Sequence, residues 1–408
     1  MTGYHARDIA GSVFLALENM PVVVLTGMRQ TGKTTFLRSQ GGMENRAFLS
    51  FDDFAQREAA RADPDGFLRP ETPVTIDEAQ KCPEIFDALK RSMDLDRTPG
   101  RFLLSGSANF SILESITESL AGRSVYLDLC PFNRRELHEA TGREPFLKRF
   151  FENPNLRLKG DLQAIAPRDV LQGGMPTVCL GHVKDPEIWF RGYEQTYLER
   201  DVRELSRVGD LTALRTLLRL IALRTGQLRS PTQLGRDAKL NAVTVSRYLS
   251  LFEASFLIHR VPPYLSNRSS RLIKSPKVYM TDAGLAAHFA GVDRSASLSG
   301  DPLYGPLFET YVAQNLRSIL SSRWQGAALH FWMVQGRHEV DFVIDAGRSC
   351  LALELKSAVR WRKRDLAGLE AFLAATPHCR AAVLCHNGPD AVRLGERLWA
   401  LPAGMVLS

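Results

Sequence analysis

The sequence of 408 residues holds only 6 cysteines, at 82, 130, 179, 350, 379 and 385, and no two of them form Cys-x-x-Cys. That spacing argues against a structural zinc site and against a disulfide framework. A reducing cytoplasm is the expected setting. The chain also lacks any apolar run near the ~18–20 residues that a membrane span requires. A basic start followed by a long apolar core, the mark of a secretory signal, is missing too. No membrane partner is expected. The densest His/Cys stretch, "HCRAAVLCH" from His378 to His386, alternates like a buried strand rather than spacing its side chains as metal ligands.

What is present is ordinary for a globular chain: 44% hydrophobic and 24% charged residues, enough apolar content to exclude a disordered one. The length points to two or three domains. The net charge of +7 is unevenly spread. Residues 191–280 carry 16 Arg and Lys against 7 Asp and Glu, a surplus of 9 that leaves the remainder at −2. A basic middle segment suits a polyanion such as DNA.

The stretch "PVVVLTGMRQTGKTTF", residues 21–36, joins a β-branched run to G-x-x-x-x-G-K-T and an apparent helix. Strand, glycine loop and helix in that order form a phosphate-binding loop, because backbone N–H groups and the helix N-terminus then face the phosphates. Gly27, Arg29, Gln30, Thr31, Gly32, Lys33, Thr34 and Thr35 are the candidate nucleotide-binding residues. Lys33 would reach the β- and γ-phosphates of ATP, and Thr34 would offer its hydroxyl to Mg²⁺. A second short strand ends in Asp77-Glu78. There Asp77 would hold Mg²⁺ and Glu78 would polarise the attacking water. After a third strand, Ser107 or Asn109 is a candidate γ-phosphate sensor. Arg123 is a candidate catalytic arginine, which acting in trans would require a homo-oligomer.

Residues 133–207 read as broken helix, with one amphipathic helix over 189–205. Then come a helix over 211–227, a capping box at Ser230-Pro231-Thr232-Gln233, a third helix opened by Asn241, and two strand-like runs around a polar loop. This is the order of a winged helix-turn-helix. Thr244, Ser246 and Arg247 would face the major groove, with Arg268 and Arg271 on phosphates from the wing. The last segment follows an αβββαβ pattern. It carries Glu309, Asp341, Glu354 and Lys356. Glu354 and Lys356 are two apart in a strand and share a face. Two carboxylates and a lysine can hold Mg²⁺ or Mn²⁺ and stabilise a phosphorane, with Glu309 as a third ligand from the helix.

The motifs "GMRQTGKTT", "FDDF", "IDEAQKCPEIFDALK", "LLSGSANF", "LAGR", "GGMP", "YLERDVREL", "SPKVYMTDAGL", "LFETYVAQNL" and "EVDFVID…LELK" occur in this order. Together they resemble the prokaryotic AAA-type ATPases that carry a DUF4143 domain after an AAA_14 domain. The resemblance spans nearly the whole chain. It implies an α/β protein: a P-loop AAA-type ATPase core with a parallel sheet over residues 1–135, a helical lid and winged helix over 136–292, and a restriction-endonuclease-like PD-(D/E)XK domain over 293–408. It places phosphate binding on Gly32, Lys33 and Thr34, and Mg²⁺ and water activation on Asp77 and Glu78. The nuclease-like constellation falls on Asp341, Glu354 and Lys356, with Val340 standing where that motif has proline. The expected function is ATP hydrolysis acting on DNA, branched DNA included. The alternative is an ATP-gated switch whose winged helix and C-terminal domain bind protein and cut nothing.

Overall fold

The computed structural model describes residues 3–68, 72–106, 120, 122–155, 163–197, 210–228, 230–265, 275–294, 300–334 and 337–408. The chain forms two compact units. One comprises residues 1–130, 193–209 and 254–256, the other 131–192, 210–253 and 257–408.

The first unit is built on a parallel sheet. Its strands are β1 (Val22–Thr26), β2 (Ala47–Ser50), β3 (Val74–Asp77), β4 (Phe102–Ser105) and β5 (Ser124–Asp128), in the order β2-β3-β4-β1-β5. Helices α1 (Ala10–Asn19), α2 (Lys33–Ser39), α3 (Phe54–Ala62) and α4 (Glu84–Leu95) accompany it. A parallel sheet needs cover on both faces, which makes its strands continuous apolar runs. Val22, Val24, Ile76, Phe102 and Leu104 pack into one cluster with Ile85, Phe86 and Leu89 of α4. The alternate residues Val23, Leu25 and Leu103 pack into a second cluster with Val13, Phe36 and Leu37 of α1 and α2. The period-2 alternation of a strand thus feeds two cores from one sequence run.

The second unit contains the winged helix. Helices α5 (Leu211–Leu223), α6 (Pro231–Ala238) and α7 (Ala242–Ala254) alternate with β6 (Gln227–Leu228), β7 (Ile258–Val261) and β8 (Lys277–Met280). The strands pair as β6-β8-β7, with both pairings antiparallel. Ser230 caps α6 in a full capping box with Gln233, with Pro231 in the first turn. Gly235 permits the tight turn into α7, since a Cβ there would stand 2.5 Å from the Leu240 carbonyl oxygen.

After α8 (Ala283–Phe289), the same unit continues into α9 (Tyr304–Arg323), β9 (Ala328–Val334), β10 (His338–Asp345), β11 (Cys350–Lys356), α10 (Ala367–Ala375) and β12 (Cys379–His386). This is the αβββαβ order, with β9, β10 and β11 antiparallel and β12 parallel to β11. Two strands not anticipated, β13 (Val392–Arg393) and β14 (Leu398–Pro402), extend the sheet to β13-β14-β12-β11-β10-β9. The run "HCRAAVLCH" supplies β12, buried along nearly its whole length. The winged helix and this sheet meet directly. Pro263 bridges to Phe331 of β9, and Tyr264 is buried in the sheet's core beside Val340, Leu369 and Phe372. The residues just past β7 thus continue onto the edge of the second sheet. Among the described residues, no helix is long and apolar enough to cross a membrane.

Candidate functional site

In the first unit the glycine loop follows β1. Gly27 has φ 143°, and a Cβ on it would fall 2.4 Å from the Leu129 carbonyl oxygen, so no other residue fits. Gly32 (φ 92°) leads into α2, which begins at Lys33. Gln30 takes a left-handed φ of 61° at the tip of the loop. The buried Lys33 donates from Nζ to the carbonyl oxygens of Gly27 (2.9 Å) and Met28 (3.0 Å). Both are neutral acceptors that the lysine can leave for a phosphate. Thr31 closes the loop internally, its hydroxyl donating to the Met28 oxygen at 2.8 Å. Thr34 and Thr35 are exposed.

Asp77 ends β3 and is buried. The Thr34 hydroxyl donates to its Oδ2 at 2.7 Å, and the Ser105 hydroxyl donates to its Oδ1. Among the described residues Thr34 and Asp77 are therefore adjacent and tied only to uncharged donors, which fits a Mg²⁺ ion held between a hydroxyl and a carboxylate. Glu78 follows in a left-handed conformation, φ 53°, with its Oε2 accepting from Gln80 Nε2. Strain of this kind in a non-glycine residue is stored where the surroundings fix a side chain's direction.

Two supports of this loop escaped the sequence reading. Ser105 sits at the end of β4, two residues before the expected sensor. Buried Arg7 ties the loop to the segment just after β5, donating to the Thr31 oxygen (2.9 Å) and the Cys130 oxygen (2.6 Å). A lone arginine near the start of a chain carries no motif. Ser105, by contrast, could have been found as a small polar residue ending a strand beside the Asp77 strand. Ser107 and Asn109 lie outside the described residues.

Arg123 immediately precedes β5, where Ser124 pairs with Val22 at the start of β1. It therefore lies at the opposite end of the parallel strands from the glycine loop, and it pairs with Asp94 of α4. The structure does not bring Arg123 to the phosphate loop of its own chain.

The second unit holds the other expected constellation. Continuing the antiparallel register of β10 and β11 sets Asp341 opposite Glu354. Asp341 Oδ2 accepts from the Leu355 N–H at 2.8 Å, and Lys356 Nζ donates to Glu354 Oε1 at 2.7 Å. Glu309 comes from α9. An unforeseen residue enters between them. Lys277, 5% exposed, lies with its Nζ 2.6 Å from Glu339 Oε1, 3.3 Å from Glu309 Oε1 and 3.9 Å from Asp341 Oδ1. Tyr279, two residues on and so on the same face of β8, donates to Glu309 Oε1 at 2.5 Å. The alternation in "KVYM" was legible as a strand. That Lys277 and Tyr279 turn inward needed the packing of β8 on α9.

Burial first, then repulsion from Asp341, pushes the Glu309 carboxyl up to about 7 and the Glu354 carboxyl up to about 8. Asp341 is raised by burial as well, with Lys277 opposing. For Lys277 burial works against the charge, yet Glu309, Asp341 and Glu339 together hold its pKa above the ordinary lysine value. Among the described residues, Glu354 Oε2 is buried with no hydrogen-bond partner. A divalent metal does not fit this arrangement. A metal would have to displace the Lys277 ammonium, which already lies among the carboxylates it would need.

On α7, Ser246 and Arg247 are exposed and Thr244 is half-buried, its N–H bound by the Asn241 side chain at 2.7 Å. Arg236 and Lys239 at the turn before it are exposed too. Arg268 and Arg271 lie outside the described residues.

Residues 19–138 match the AAA_14 family model, described as an AAA domain, and residues 304–406 match the domain of unknown function DUF4143. Residues 166–296 match another domain of unknown function, DUF8612. The chain is similar to uncharacterised proteins of Mycobacterium tuberculosis and Mycobacterium bovis, each 29% identical over 98% of this chain and 84% of theirs. An uncharacterised Haemophilus influenzae protein is 24% identical over 66% of this chain and 69% of its own. Among solved structures, the Walker-type ATPase PABY2304 of Pyrococcus abyssi aligns with TM-score 0.45 and 17% identity, over 70% of this chain and 96% of that one. The Thermotoga maritima RuvB Holliday junction branch migration motor aligns with TM-score 0.29 and 19% identity, over 62% and 89%.

Proposed function

Because this chain is an AAA-type P-loop ATPase with an AAA_14 domain followed by a DUF4143 domain, we propose that it hydrolyses ATP to act on DNA, as a remodelling, helicase or recombination-type ATPase. The observation that carries the ATP half is the adjacency of Thr34 and Asp77 beside Lys33. Lys33 would exchange its two carbonyl partners for the β- and γ-phosphates. Thr34 and Asp77 would hold Mg²⁺, which neutralises the developing phosphate charge when bound. Glu78 would take the proton of the attacking water. Arg123 would serve only from a neighbouring copy, so a homo-oligomer belongs to this reading. The DNA half rests on the helix-turn-helix, whose α7 leaves Ser246 and Arg247 exposed, and on the basic surplus around it.

ATP turnover by the purified protein, with and without duplex, forked and single-stranded DNA, tests this. Stimulation by at least one form is expected, and none in Glu78→Gln. An unchanged rate on every form would remove the DNA half. The second reading is an ATP-gated switch with a protein partner. It is favoured by Val243, an apolar residue 80% exposed at the start of α7, which suits a protein contact as well as a groove. Salt decides between the two: phosphate contacts release counterions, so DNA affinity should fall steeply with added salt. Flat or absent binding selects the switch.

A further inference from the structure

The winged-helix strand β8 places a lysine where the αβββαβ fold is expected to hold a divalent metal. We propose that Lys277 is the resident cation of this acidic cluster and that the C-terminal domain works without a metal ion there. The inference goes beyond the ATP-dependent reading and stands whether or not DNA drives ATP turnover.

Three observations carry it. First, Lys277 is almost fully buried and touches three carboxylates from two different elements, Glu309 of α9 with Glu339 and Asp341 of β10. A lysine buried to this degree is held only by compensating charge, so these acids are its ligands. Second, the surroundings are shaped to it. Tyr279 from the same face of β8 donates to the same Glu309 Oε1 that Lys277 binds, the Phe331 ring lies 5.6 Å from the Lys277 ammonium, and Gly226 has no side chain where a Cβ would stand 3.2 Å from Glu309 Oε1. Third, the other lysine of the constellation is also spent, since Lys356 pairs with Glu354 rather than standing free to orient a water. A metal would have to expel one ammonium and take Asp341 and Glu309 from it. In this arrangement an ammonium already occupies the carboxylates, and the second lysine is paired with Glu354 rather than free as metal-assisted phosphodiester hydrolysis needs. The cluster instead fastens the winged helix to the C-terminal sheet.

Mn²⁺ binding to the full chain, read by the loss of the free-ion paramagnetic resonance signal in nucleotide-free buffer, tests the proposal. The parent protein should show no Mn²⁺ site that Asp341→Asn removes, down to a Kd of about 1 mM. Lys277→Met should gain one such site per chain, and the double variant Lys277→Met/Asp341→Asn should lose it again. A parent site that disappears in Asp341→Asn overturns the proposal. So does a folded Lys277→Met, shown by ATP turnover and circular dichroism equal to the parent, that gains no site. If Lys277→Met does not fold, the parent and Asp341→Asn comparison still decides.

Discussion

The carboxylate of Asp77 is held by two hydroxyls, from Thr34 and Ser105, whereas Glu309, Glu339 and Asp341 gather around the ammonium of Lys277. Both are acidic sites of the kind that binds divalent metals, and each has a lysine nearby. Hydroxyl donors orient a carboxylate and leave its charge for an incoming cation. An ammonium consumes that charge. The lysines differ in the same sense. Lys33 donates to the loop carbonyls of Gly27 and Met28, while Lys277 is bound by three charged groups. One site is prepared for an exchangeable ligand and the other is already full. The motif spelling hides this, because D-E after a strand and D…E-x-K across a meander both read as metal sites.

The contrast can be broken or sharpened by substitution. The largest effect is expected at the first site: Glu78→Gln should lower ATP turnover by about 10²–10⁴-fold, as loss of a general base does, while nucleotide binding measured by fluorescence anisotropy persists. Equal turnover would remove Glu78 from the mechanism. Next in size is stability at the second site. Lys277→Ala leaves three carboxylates uncompensated and should cost about 3–5 kcal/mol in denaturant unfolding. Lys33→Ala, which loses the hydrogen bonds to the Gly27 and Met28 carbonyls, should cost about 1 kcal/mol. Similar losses for the two would erase the distinction.

A smaller effect concerns His259, which stacks on Tyr279 at 5.6 Å. Burial, and then Arg317, hold its pKa well below the ordinary 6.5. Its neutral form is the folded one, so the unfolded chain binds the extra proton. The stability it contributes is present above the unfolded value and is lost as pH falls below it. Melting temperatures at pH about 7.5 and about 5.5 should therefore fall further in the parent than in His259→Phe. Parallel falls would contradict the assignment. The smallest effect is at α7: Arg247→Ala should reduce the salt dependence of DNA binding by about one counterion.

The fold was largely legible because its signals are local. The glycine loop dictates its own backbone, the Ser230 box dictates the start of α6, and period-2 alternation marks β10 and β11. The phosphate site was readable for the same reason: Gly27 through Thr35 are contiguous, and Asp77 ends an apolar run. The missing parts depend on distant packing. β2 is the four-residue run "AFLS", too short to stand out by periodicity. Arg7 reaches the loop across 24 residues. Lys277 was placed in a wing strand, and nothing in "SPKVYMTD" says that its ammonium is buried. That follows from α9 and β10, thirty and more residues later. The C-terminal acids were found by spacing, but spacing carries no information about which cation sits between them.

The most direct test of the contrast is the number of Mn²⁺ ions bound per chain with a non-hydrolysable ATP analogue present. The account predicts one ion, dependent on the analogue and lost in Asp77→Asn. A second ion that binds without the analogue and is lost in Asp341→Asn would contradict it.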